Sequence, residues 1–337
     1  MASLPGLVAL VALLFTWVSV GQTGTELRIA EQGQITTRFN AAVSHLGSQS
    51  MDLRFGGIYA LERIMQDSTR DQPRVISVLS AYVRTHNPVP VGGFPEMEGA
   101  LVRKLLPKAD VVAAIDVLAQ RSPGRDGRAR VDWQRADLRL LDLGWRQAAA
   151  GRWVQQPDRS SNSRPYLPFS FADLTGADLR YSIFLRVDLH GASCGGVNMA
   201  HARFIDVNLD GASLGSADLT QAELKQTSLR NAYLLRAVLA GASLIGADLR
   251  EAALGSVDAH DVSLSLADLR NADLRRANLS DADLEEANLR DANLAGANLR
   301  NANLHLADLT GADLKDADLT GANLEQTAGV PADLRQK

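Results

Sequence analysis

The sequence predicts a mainly β protein: a solenoid wound from five-residue repeats, behind an apolar amino-terminal helix and a small helical region. Three observations carry this. The stretch ANLRDANLAGANLRNANL at 287–304 repeats Ala-Asn-Leu-X-X with a period of five. That frame runs from Ala172 to Gln326, 155 residues or 31 repeats, without insertion or deletion. Residues 4–20, LPGLVALVALLFTWVSV, carry no charge, and apolar residues recur at helical spacing between that run and the repeats.

A period of five excludes both regular secondary structures. On a helix, at about 100° per residue, successive leucines would sit about 140° apart and never share a stripe. On a flat strand they would point to opposite faces by turns. The period works when the chain turns a corner in every repeat and stacks coil upon coil, each unit burying its apolar side against its neighbours. Ala and Leu, two apart, then face inward, and the other three positions face water.

The composition of the frame agrees. The position before the Asp or Asn is Ala in 24 of the 31 repeats, and the exceptions (Ser182, Val187, Val197, Val207, Thr227, Val257, Val262) are small or β-branched. The central position is Leu in 26 of them. Leu174, Leu179, Leu189, Leu209, Leu219, Leu249, Leu269, Leu289 and Leu309 form the expected core with Phe184, Cys194, Met199 and Phe204. Cys194, the only cysteine, reads as a buried small hydrophobe. Tandem A(D/N)LXX, as in Asn271-Ala272-Asp273-Leu274-Arg275, resembles the bacterial pentapeptide-repeat family. The resemblance implies a right-handed quadrilateral β-helix with four repeats per coil. It covers about half of the chain and speaks to fold more than to activity.

The first segment, 1–21, is expected to be a transmembrane helix, with residues 4–20 just long enough to span a bilayer. Trp17 suits an interfacial position, and Arg28 and Arg38 beyond the run place the carboxy-terminal part in the cytoplasm by the positive-inside bias.

Residues 22–125 read as an α-helical neck. Ile35, Phe39, Val43 and Leu46 make one stripe; Ile58, Leu61, Ile64 and Met65 a second; Val75, Val78, Leu79, Tyr82 and Val83 a third. A fourth helix, 109–121, has Asp110 as its expected N-cap. Asp52-Leu53-Arg54 followed by Ala60-Leu61-Glu62-Arg63-Ile64 resembles a HEAT-like helix pair. It is also similar to the helical segment preceding the repeats in membrane-anchored bacterial members of the pentapeptide-repeat family. Longer members carry a further hydrophobic segment upstream, so the resemblance implies an amino-terminally short version.

The solenoid is expected over 131–337. Val131-Asp132-Trp133, Ala136-Asp137-Leu138 and Leu141-Asp142-Leu143 start the pattern early, and 146–166 is a loop inserted in the first coil. Trp153 of that loop is expected to cap the rod. The carboxy end is left as the surface for a homodimer.

No GxGxxG, GxxxxGK[ST], HExxH or cysteine pair occurs. A closed rod filled with leucine offers no concave pocket, so no catalytic residue, cofactor or metal is assigned. His260 between Asp258 and Asp261 is the one group shaped like a metal site, and it reads as surface. Arg230, Arg250, Arg270 and Arg290, spaced by twenty, would stack into a stripe that docks an acidic partner, with Asp248, Asp268, Glu251 and Asp291 beside it. The formal charge of −4 hides an asymmetry: residues 167–337 hold 15 Lys+Arg and 24 Asp+Glu, so 15 − 24 = −9. These features point to a non-catalytic, membrane-anchored scaffold for a protein partner, with no nucleic acid expected. The resemblance implies one alternative, a DNA mimic that occupies DNA gyrase as quinolone-resistance members do.

Overall fold

The computed structural model describes residues 17, 26, 28–89, 106–143 and 166–331. It divides into two compact units, Met1–Val75 and Ile76–Lys337. The apolar run 4–20, apart from Trp17, lies outside the described residues, as do Trp153 and most of the expected loop 146–166. Among the described residues no helix is long and apolar enough to cross a membrane.

In the first unit, α1 covers 28–46 and α2 covers Met51–Asp67. The buried stripe of α1 ends in Ala42 and Leu46, while Val43, expected inside, is 38% exposed. The reason is a close helix approach: a Cβ on Gly57 of α2 would stand 2.7 Å from the Ala42 carbonyl oxygen. That contact needs alanine opposite glycine, which rotates the stripe one residue away from Val43. Ile58, Leu61, Ile64 and Met65 are buried as expected.

The second unit begins within α3 (Gln72–His86), followed by α4 (Ala109–Ala119). Lys108, and not Asp110, is the N-cap of α4. Asp110 is buried on the first turn, where its carboxylate accepts hydrogen bonds from the Tyr82 hydroxyl at 2.7 Å and the Val111 N–H at 3.0 Å. A side chain drawn into a tertiary bond is no longer free to cap.

From Asp132 onward the chain is a β-helix. Short parallel strands pair β1 (Leu167–Pro168) with β3 (Val187–Asp188), and β2 (Ile183–Leu185) with β4 (Arg203–Ile205). Elsewhere between coils a single bridge per repeat carries the pairing, parallel and, from Asp173 onward, to the residue twenty further on, while Pro88 and Ala136 make one antiparallel bridge at the amino-terminal end. Twenty residues are four repeats, so each coil has four sides.

The repeat Ala247-Asp248-Leu249-Arg250-Glu251 shows how the backbone is satisfied. The Ala247 N–H closes a turn on the Leu244 carbonyl at 3.0 Å. The Asp248 N–H donates to Thr227 of the coil before at 3.1 Å. Leu249 and Glu251 donate to Asp268 and Arg270 of the coil after, at 2.8 and 3.0 Å. One donor is left, and the Asp248 carboxylate takes it, accepting from the Arg250 N–H at 3.3 Å. Thus, in the repeats that have one, the Asp or Asn at the second position sits on the flat side, not at the corner, as an Asx-type acceptor two residues ahead of its donor. The corner is the fifth position, where φ lies between +53° and +76° in every repeat. At Gly191 a Cβ would meet the Phe171 ring at 2.5 Å, so a side chain there would have to displace that ring.

All thirteen expected core residues are inside, each no more than 2% exposed. Phe184 and Phe204 stack on consecutive coils, 5.1 Å apart and nearly parallel. The first bridges, Asp132–Asp173, Asp137–Asp178 and Asp142–Ile183, are offset by 41 residues, and 41 − 20 = 21 residues in excess of a coil fall between Leu143 and Tyr166. The amino-terminal end of the coil stack is covered by chain that precedes it. Val89 donates to the Arg135 carbonyl at 2.8 Å, Asp137 to the Asn87 carbonyl at 2.7 Å, and the Asp132 N–H to the Ser80 hydroxyl at 3.2 Å.

Leu269→Lys should lower the unfolding free energy by roughly 4 kcal/mol or more, because it buries an unpaired charge. Arg270→Lys should move it by about 0.5 kcal/mol or less. Thermal denaturation compares the two. In α2, a Cβ on Gly56 would meet nothing within 4 Å. Gly56→Ala should therefore stabilise by about 0.5–1 kcal/mol, whereas Gly57→Val should destabilise by about 1–3 kcal/mol through overpacking.

Candidate functional site

With the interior closed, recognition falls to the second, fourth and fifth positions of each repeat, which form vertical columns on the four sides. The column of Arg230, Arg250, Arg270 and Arg290 lies on one side, as its spacing of twenty requires. Each guanidinium is engaged. Arg250 Nε donates to Asp248 Oδ1 at 2.8 Å and stands 3.4 Å from Asp268 of the next coil. Arg270 Nε donates to Asp268 Oδ1 at 2.8 Å. Arg230 lies 3.7 Å from Asp248, and Arg290 donates to Asp308 at 3.0 Å.

The stripe is thus an alternation of arginine and aspartate zigzagging between coils. Glu251 and Asp291, expected beside it, sit instead at corner positions with positive φ. The Arg250 guanidinium, by hydrogen bonding, holds the Asp248 carboxyl below the usual carboxylate range, and Arg270 does the same for Asp268.

Other columns carry amide ladders. Asn278 donates to Asp258 at 2.9 Å and Asn298 to Asn278 at 2.9 Å. Asn303 donates to Asp283 at 3.1 Å and Asn323 to Asn303 at 3.0 Å. His260 Nδ1 lies 2.9 Å from Asp258 Oδ1, while Asp261 is at a corner. Among the described residues no group of three His, Cys, Asp or Glu side chains could hold a metal. Burial pushes the Cys194 thiol up to about 12. A cavity of about 580 Å³ lies between the end of α4 and the first coil, lined by Asp116, Gln120, Arg121, Leu143 and Tyr166. Arg121 there is committed to Asp126 at 3.0 Å, and the chain leaves and re-enters the described residues at the cavity's edge.

The sequence places Ile183, Arg203, Tyr233 and Ala253 on faces that interrupt the Asp and Asn, but assigns them no role, and it leaves Leu235 unremarked. Tyr233 and Leu235, on the side next to the arginine stripe, are 60% and 53% exposed. Their only signal in the sequence is a large apolar residue in a variable slot.

The family described as pentapeptide repeats matches this chain in eight copies, over residues 169–204, 182–221, 217–255, 254–291 and 287–326. No curated protein matches. Among solved structures, HetL, a pentapeptide repeat protein involved in heterocyst differentiation regulation from the cyanobacterium Nostoc sp. strain PCC 7120, is 33% identical over 48% of this chain and 84% of its own, with a TM-score of 0.21. QnrB1, a plasmid-mediated fluoroquinolone resistance protein, is 22% identical over 48% of this chain and 88% of its own, with a TM-score of 0.38. A pentapeptide repeat protein of the Arabidopsis thaliana thylakoid lumen is 30% identical over 38% of this chain and 68% of its own, with a TM-score of 0.17.

The stripe makes a pH prediction. Asp248 and Asp268 have folded pKa values below their ordinary 3.8, so their contribution is present above about pH 4. It is lost as the pH falls through the lowered folded values. The double variant Arg250→Ala/Arg270→Ala should therefore melt below the parent at pH 6 and converge on it toward pH 2, as followed by circular dichroism.

Proposed function

Because the chain belongs to the pentapeptide-repeat family through residues 169–326, we propose that it is a non-catalytic scaffold whose solenoid exterior docks a protein partner at a membrane. The observation that carries this reading is the separation of roles within the repeat. Two inward positions and the backbone ladder make the rod, while the fourth and fifth positions vary freely on its surface. Such a surface is a rigid display of side chains at the coil spacing of about 4.8 Å.

The arginine stripe is one docking surface on this reading, its aspartates restricting it to partners acidic enough to compete for the guanidiniums. Membrane attachment through residues 4–20 is supported by the uncharged run, and a cytoplasmic carboxy-terminal part by Arg28 and Arg38. A homodimer through the carboxy-terminal end is supported by the parallel pairing of the coils, a ladder that a second copy could continue. Against occupation of gyrase as a DNA mimic stands the interleaving of arginine with aspartate, which interrupts any acidic track.

The test is fractionation and capture with the full chain. The chain should sediment with membranes and stay there after an alkaline wash, and deletion of residues 1–21 should release it. Cross-linking at the membrane should trap a protein partner, and gyrase supercoiling should be unaffected by the added chain. A full chain recovered wholly in the supernatant removes the membrane reading, and inhibition of supercoiling replaces the scaffold by the mimic.

A further inference from the structure

We infer that the side of the rod carrying Tyr233 and Leu235, with the corner column of Arg236 and Arg276, is the site that binds an acidic protein segment bearing a large apolar side chain. This rests on the docking reading above and names the surface and its partner's chemistry. Tyr233 and Leu235 occupy the second and fourth positions of one repeat, so both project from the same side. The coils on either side present only small residues beneath them. Ser213 and Gly215 come before, Ala253 and Gly255 after. A Cβ on Gly255 would stand 3.2 Å from Leu235 Cδ1, so the leucine already leans across that shelf. The result is an apolar pair standing clear of its surroundings on a rigid backbone.

Charge decides the partner. Most solenoid arginines are spoken for: Arg180, Arg203, Arg230, Arg250, Arg270, Arg275, Arg290 and Arg300 each lie within 3.7 Å of a carboxylate oxygen. Arg236 and Arg276 are not; both are exposed and make no side-chain hydrogen bond or ion pair among the described residues. They are forty residues apart in one corner column, two coils or about 10 Å. The nearby carboxylates are occupied elsewhere, Asp273 by Arg275 at 2.6 Å and Asp258 by His260 at 2.9 Å. Arginine and tyrosine are residue types that dominate binding energy at interfaces, and the leucine beside them adds exposed apolar area. They fit a segment with carboxylates about 10 Å apart flanking a leucine, phenylalanine or tryptophan.

A displayed library of random 12-residue peptides, selected against the full chain, tests this. Enriched peptides should combine two or more Asp or Glu with a large apolar residue. Their binding should weaken about tenfold or more in Arg236→Glu/Arg276→Glu and in Tyr233→Ser/Leu235→Ser, and should weaken with added salt. It should be unmoved by Arg203→Ala/Lys225→Ala, on the opposite side of the rod. All substituted groups at the proposed surface are exposed, so thermal midpoints verify that the variants fold. Binding lost only in the Arg250→Ala/Arg270→Ala variant overturns this surface and leaves the docking reading standing. Enriched peptides that lack acidic residues, or that bind the surface variants as tightly as the parent, also overturn the proposal. A selection that enriches no peptide overturns both.

Discussion

Each repeat must dispose of five backbone N–H groups, and the rest of the structure follows from how it does so. Three go up or down the coil stack, one closes the corner, and in the repeats that carry Asp or Asn at the second position the last is taken by that side chain. A donor left buried and unmet costs about 1–3 kcal/mol, which favours such an acceptor in each of these repeats. The conserved spacing within the chain is therefore a hydrogen-bonding rule as much as a packing rule. Where Ser228 replaces the acid, Asp210 of the preceding coil reaches over to the Arg230 N–H at 2.9 Å.

The same demand explains what the corner tolerates. Left-handed φ is costly for residues with a Cβ, roughly 1 kcal/mol or more each, yet Gln221, Glu251, Leu266 and Arg276 all adopt it. They do so because the N–H at that position is held by a carbonyl of the next coil, as Glu251 is by Arg270 at 3.0 Å. A corner residue is strained in isolation and fixed by its neighbours.

Much of this was legible in the sequence. An odd period with two inward positions points to a coil with a corner per repeat, and every core residue named from it is buried. The role of the aspartate was not legible. Periodicity says only that the residue is outward and polar, while its hydrogen bond depends on the neighbouring backbone. Asp110 and Val43 escaped for a related reason, since the Tyr82 hydroxyl and the close pass of Gly57 are tertiary facts. At the surface, the spacing of Arg230, Arg250, Arg270 and Arg290 gave their alignment. It was blind to their neutralisation, because Asp248 and Asp268 read as repeat residues first. Tyr233 stood out only as a break in the Asp and Asn pattern, and its pairing with Leu235 on one exposed side was not legible in a frame defined by what is regular.

The early offset of 41 residues has a consequence for how such a molecule changes over generations. Leu143 and Leu167 take up their places on adjoining sides of the first coil, since the register is held by the bridges on either side. For any chain held between two fixed ends, added length costs only a slowly growing entropy of closure. The rod thus has a port where foreign sequence can be spliced in, tried and discarded without disturbing the lattice that carries it.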